Sequence, residues 1–77
     1  MNPKIMEGKA KEITYKYYQQ SILDTKIFGE DSKEAFESYK EYRAVERAMA
    51  QLFEIDTFDI YEYCRDMYNV RHYERMI

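Results

Sequence analysis

Tryptophan is absent from this 77-residue chain; histidine, cysteine and proline occur once each, and glycine twice. Each scarcity closes off a class of protein. A single cysteine, Cys64, cannot build an internal disulfide framework and fits a reducing compartment. His72, with no second histidine and no cysteine cluster, makes no zinc pattern. Gly8 and Gly29 are too few and too far apart for a phosphate-cradling loop. No apolar run approaches the roughly 18 residues a membrane span needs. The start, Met1-Asn2-Pro3-Lys4, lacks the apolar core of a secretory signal, so a cytoplasmic location is expected. Cys64 and His72 stand eight residues apart, but no oxyanion feature or third group accompanies them. The sequence therefore assigns no catalytic residue, no metal ligand and no cofactor site, and a non-enzymatic protein is expected.

What the chain has in quantity is charge and tyrosine. Charged residues make up 35% of it, and nine tyrosines dominate an aromatic share of 17%. So few breakers among so many charges favour long helices over a β-rich domain. Tyrosine suits a small domain, because its ring packs while its hydroxyl stays wet. It also suits an interface. At this length one domain, residues 1–77, is the only sensible division, with a thin core.

The apolar spacing predicts an all-α, three-helix domain with a long central second helix. The first helix is expected over about residues 3–25. Asn2 would cap it, Pro3 would sit at its first position, and Met6, Ala10, Ile13 and Tyr17 would share one face beside a Tyr15, Tyr18, Ile22 stripe. Ile27 to Glu30 reads as a connector. Asp31 with Glu34 offers a cap for the second helix, and Phe28 is placed to pack near Phe36. That helix is expected over 32–53, with Ala35, Tyr39, Tyr42, Val45, Met49 and Leu52 along its apolar side and a Lys33–Glu37 pair outside. Asp56-Thr57 begins a third helix over about 57–69, followed by a short tail. The expected core is Ile13, Tyr17, Phe36, Tyr39, Val45, Met49, Leu52, Phe53, Ile55, Ile60 and Cys64.

Residues 48–66 resemble the helix-turn-helix family. A small residue in the first helix, a turn residue four positions on, an apolar residue after it and two apolar anchors in the second helix are matched by Ala50, Glu54, Ile55, Ile60 and Tyr63. The turn position usually holds Gly, and here it holds Glu54. The resemblance implies a DNA-binding regulator, with Lys4, Lys9, Lys11 and Lys16 on phosphates. The charge points elsewhere. Glu54, Asp56, Asp59, Glu62 and Asp66 outnumber the one base, Arg65, on the segment that would enter the groove. The residues then serve as packing at a corner between two helices.

The acids also recur at helical spacing. Glu30, Glu34, Glu37 and Glu41 form one row, and Asp59, Glu62 and Asp66 a second. Such rows are ordinary solvated faces, or they meet a basic partner in place of phosphates. Tyr63 and its neighbours would then supply anchoring rings. In size, charge and tyrosine content the chain is similar to the small acidic proteins of phages and mobile elements that block host proteins, anti-CRISPR proteins among them. That likeness implies an inhibitor that occludes a basic nucleic-acid-binding surface. Glu34, Glu37, Glu41, Asp59, Glu62, Asp66 and Tyr63 are the expected partner-binding residues, and the partner a protein. Part of the second helix also fits a homodimer seam through Tyr42, Val45, Met49 and Leu52.

Overall fold

In the computed structural model the backbone is described for residues 3–76 and the side chains for residues 5–71. The expected Asn2 cap and the side chains of Lys4 and His72 lie outside the described residues. Three helices account for nearly all the rest: α1 (Pro3–Phe28), α2 (Lys33–Phe53) and α3 (Thr57–Met76). No strand occurs among the described residues. The all-α, three-helix expectation holds. Among the described residues, no helix is long and apolar enough to cross a membrane.

The details differ from the sequence reading. The longest helix is α1, with 26 residues, and it is the central one: it packs on both α2 and α3, while α2 and α3 touch each other least. The first helix runs on to Phe28, and the third takes in the expected tail as far as Met76. The α2 cap is Ser32, not Asp31. Its hydroxyl accepts from the Ala35 amide at 3.1 Å and donates to the Gly29 carbonyl at 2.7 Å. Gly29 sits at φ 97°, a conformation that costs glycine little. Phe28 and Phe36 are both exposed, and no ion pair joins Lys33 to Glu37.

The core also lies on a different line. On α1 the buried positions are Ala10, Thr14, Tyr15 and Ser21, while Ile13 is 42% exposed. Apart from Tyr15 these are small side chains, and small side chains let helices come close. The Thr14 hydroxyl donates to the Ala10 carbonyl at 2.9 Å, so its burial leaves no donor unused. Thr25, one turn beyond Ser21, does the same with the Ser21 carbonyl at 2.8 Å. On α2 the buried residues are Ala35, Tyr42 and Glu46, while Phe36 (59%), Tyr39 (53%) and Leu52 (71%) stand exposed. Ile55, Ile60 and Cys64 close the core from the corner and α3, as expected, with Met49 and Phe53 packed partly against them. Among the described residues the buried Tyr15 hydroxyl has no hydrogen-bond partner, and the Arg71 guanidinium lies 4.9 Å from the centre of its ring.

The α2–α3 corner is the tightest local feature. Glu54 adopts the left-handed conformation, φ 53° and ψ 46°, that this turn position requires. Its amide and that of Ile55 both bond to the Ala50 carbonyl, the latter at 3.0 Å, which closes the end of α2. Asp56 then opens α3, accepting from the Phe58 amide at 2.8 Å. Ile55 and Ile60 are driven inward on either side of the turn. The corner anticipated from the helix-turn-helix spacing is thus formed, with glutamate carrying a strain that glycine would relieve. Glu54→Gly is expected to raise stability by about 1 kcal/mol, read as a higher thermal midpoint with unchanged helical circular dichroism.

Candidate interaction surface

The expected acidic residues are solvent-facing, in two separate rows. Glu34, Glu37 and Glu41 lie along one flank of α2, all exposed, and no ion pair engages them among the described residues. Asp59 and Asp66 are exposed on α3 with Glu62 half-exposed between them. Here Arg65 intervenes. Its guanidinium lies 3.2 Å from Asp66 and 3.8 Å from Glu62, so the α3 row is partly neutralised. Tyr63 is not on that row. It is half-buried and packed against the core, and burial, followed by the nearby Glu12, raises its hydroxyl above the ordinary tyrosine value.

A cleft where the three helices meet was not foreseen. It holds about 230 Å³ and is bordered by Tyr18, Ser21 and Ile22 of α1, Tyr39, Tyr42 and Arg43 of α2, and Tyr61 of α3. Tyr18 is its hub. Its ring meets Tyr42, Tyr61 and Tyr68 edge-on, at centroid distances of 5.3, 6.3 and 6.2 Å. Such contacts add roughly 0.5–1.5 kcal/mol each beyond burial. Burial raises the Tyr18 hydroxyl above its usual value, with Tyr61 adding to the effect.

Next to the cleft lies Glu46, whose side chain is fully buried. Tyr42 donates its hydroxyl to one carboxylate oxygen, and the Arg43 guanidinium reaches the other at 2.5 Å. All three residues lie within about one turn of α2, so helix geometry alone brings them together. The tyrosine hydroxyl is raised by burial and by its hydrogen bond to Glu46. Sequence periodicity points to Val45 here and passes over Glu46, because a charge is not counted as an inward residue. The spacing of Tyr42, Glu46 and Met49 on one face is the signal that was available. Cys64, fully buried across the core, is pushed up to about 12 by burial and then by the field of Glu46. Its thiol therefore stays protonated at neutral pH, which suits a small core residue and not a nucleophile. Among the described residues, no group of three His, Cys, Asp or Glu side chains could hold a metal ion.

The opposite flank of α2 carries bases. Phe36, Tyr39, Lys40, Arg43, Ala44 and Arg47 line a shallow groove of about 400 Å³ that contains no acid. Tyr39 and Arg43 border both the groove and the cleft, so the two adjoin. Comparison with protein-family models, curated proteins and solved structures finds no match, so residue chemistry and geometry carry the functional reading.

Two outcomes follow from the buried groups. Glu46→Ala strands the Tyr42 hydroxyl and the Arg43 charge. It should cost about 2–3 kcal/mol in denaturant unfolding, with Glu46→Gln less damaging. The second concerns alkali. Because the folded thiol of Cys64 is raised from 9.0 to about 12, its contribution to stability is complete below pH 9.0 and is lost as pH climbs toward 12. Thermal midpoints should fall across that window, less steeply in Cys64→Ala, and native Cys64 should resist alkylation until the chain unfolds.

Proposed function

We propose that this protein is a non-enzymatic, protein-binding module that meets a basic surface on its partner, in the manner of a phage-type inhibitor that occludes a nucleic-acid-binding site. The observation that carries this reading is the α2 flank of Glu34, Glu37 and Glu41. Three exposed carboxylates, without an ion pair among the described residues, follow one another along a capped, rigid helix. Their charge is available to a partner without first breaking an internal pair. Complementary charge of this kind accelerates encounter and sets register, while leaving affinity to buried anchors. The Asp59, Glu62 and Asp66 row contributes less, because Arg65 engages two of its three members.

The second reading, a helix-turn-helix DNA-binding regulator, has the formed corner at Glu54 in its favour. Against it, the exposed side of α3 near its start offers Asp59 and Glu62 where phosphates would approach. Sequence-selective retardation of genomic fragments at moderate salt would establish this reading over the first.

The test of the protein-binding reading compares the natural chain with a Glu34→Lys/Glu37→Lys/Glu41→Lys variant as bait in lysate capture at rising salt. The natural chain should retain a partner whose capture weakens steeply with salt, and the partner's own nucleic acid should compete for it. The variant should lose that partner while keeping its helical spectrum. Capture that ignores both salt and charge reversal would rule the proposal out.

A further inference from the structure

We infer that the flank of α2 opposite the acidic row, together with the adjoining edge of α3, forms a binding surface for single-stranded nucleic acid. This inference does not rest on the acidic flank.

The surface is assembled from alternating rings and cations. Along α2, Phe36, Tyr39, Lys40, Arg43 and Arg47 recur at three- and four-residue steps, so they share one side of the helix. Phe36 and Tyr39 leave more than half of their surface to solvent. The Lys40 ammonium sits 4.9 Å from the centre of the Phe36 ring. Across the cleft, Tyr61 and Phe58 are exposed on α3, and the Arg65 guanidinium lies 5.9 Å from the centre of the Tyr61 ring. Ring and cation therefore stand side by side on both helices. Arg43 is held in place by Glu46 at 2.5 Å and borders both the groove and the cleft. Lys40 and Arg47 have no carboxylate partner among the described residues.

Three features favour a single strand over other anions. Exposed rings are useful to a ligand that brings its own flat faces, and unpaired bases stack on such rings whatever their sequence. On α2, Lys40 beside the Phe36 ring and Arg47 one turn beyond Arg43 have no ion pair among the described residues, and they suit the phosphates that follow each base. The groove is open and adjoins the cleft at Tyr39 and Arg43, so the rings and cations follow one another along the helix, as an extended ligand requires and a compact one does not. A duplex keeps its base faces stacked inside and would leave Phe36 and Tyr39 without partners. None of the side chains lining the α2 groove is acidic, so the formal net charge of −3 does not oppose phosphates there. On α3, where Glu62 and Asp66 engage Arg65, the edge offers the rings of Phe58 and Tyr61, and the phosphates stay with Lys40 and Arg47.

The test uses the full chain and a fluorescent oligothymidylate, read by anisotropy. Binding should weaken with salt along a log–log slope of about −1.4 if two phosphates are engaged by Lys40 and Arg47. Tyr39→Ala should weaken it about tenfold, and so should Phe36→Ala, which is the check should the first variant lose helical content. Lys40→Gln/Arg47→Gln should flatten the slope. Any of these results would overturn the inference: no binding at low salt, equal affinity for heparin, tighter binding of the duplex, or equally effective competition by polyglutamate. Indifference of the affinity to both ring variants would do the same, because it would leave only a non-specific attraction between charges.

Discussion

The carboxylate of Glu46 is the constraint on which the interior of this domain depends. A charge taken wholly out of water must be met by partners, and here the partners come from the same helix. Tyr42 supplies a hydroxyl from one turn below and Arg43 a guanidinium that keeps contact with solvent. With Tyr42 held in this way, its ring faces Tyr18 of α1, and through Tyr18 the contact extends to Tyr61 and Tyr68 of α3. One buried charge on α2 is thus tied to the ring cluster that joins all three helices. The same carboxylate adds to the rise of the Cys64 thiol, so the core's sulfur is electrostatically quiet as well as inaccessible.

A second condition comes from size. The molecule measures about 40 × 32 × 17 Å, scarcely two helix diameters thick in its shortest direction. So thin a body has few fully enclosed positions, and it fills them economically. α1 presents Ala10, Thr14 and Ser21 where a larger protein would place leucines. The threonine hydroxyl is satisfied by its own helix, which makes a polar atom acceptable in the core. Tyrosine does much of the remaining work, as where Tyr42 packs its ring against Tyr18 and donates its hydroxyl to Glu46. The α2–α3 corner shows the same economy. A glutamate in the left-handed conformation is accepted because two amides on one carbonyl and two buried isoleucines define the turn around it.

Helix α2 consequently faces the outside with two chemistries. The row of Glu34, Glu37 and Glu41 lies on one flank, and the rings and bases from Phe36 to Arg47 on the other. The overall charge of −3 conceals this division, because it is a sum over faces that no partner meets together. The two proposed partners divide in the same way, a basic protein surface for the acidic flank and a single strand for the aromatic, basic one. A rigid helix with a formed cap keeps both in fixed register.

Some of this was legible before any fold was known. Helical spacing, the scarcity of breakers and the Asp56 start of α3 were sufficient for three helices, since these are local properties of backbone and side chain. The corner was legible too, because Ala50, Ile55 and Ile60 are close in sequence and must pack wherever the turn is made. The exposure of Glu34, Glu37 and Glu41 agreed with their charge and their spacing along one helix flank, a rule that Glu46 on the same helix breaks. The tertiary structure decided which helix is central, and placed small residues on α1 in the core while leaving Phe36, Tyr39 and Leu52 outside. It also decided that Glu46 turns inward and that Arg65 engages the α3 acids. These outcomes depend on how closely helices distant in sequence approach one another and on which charges lie within reach. Periodicity along a single helix contains neither quantity.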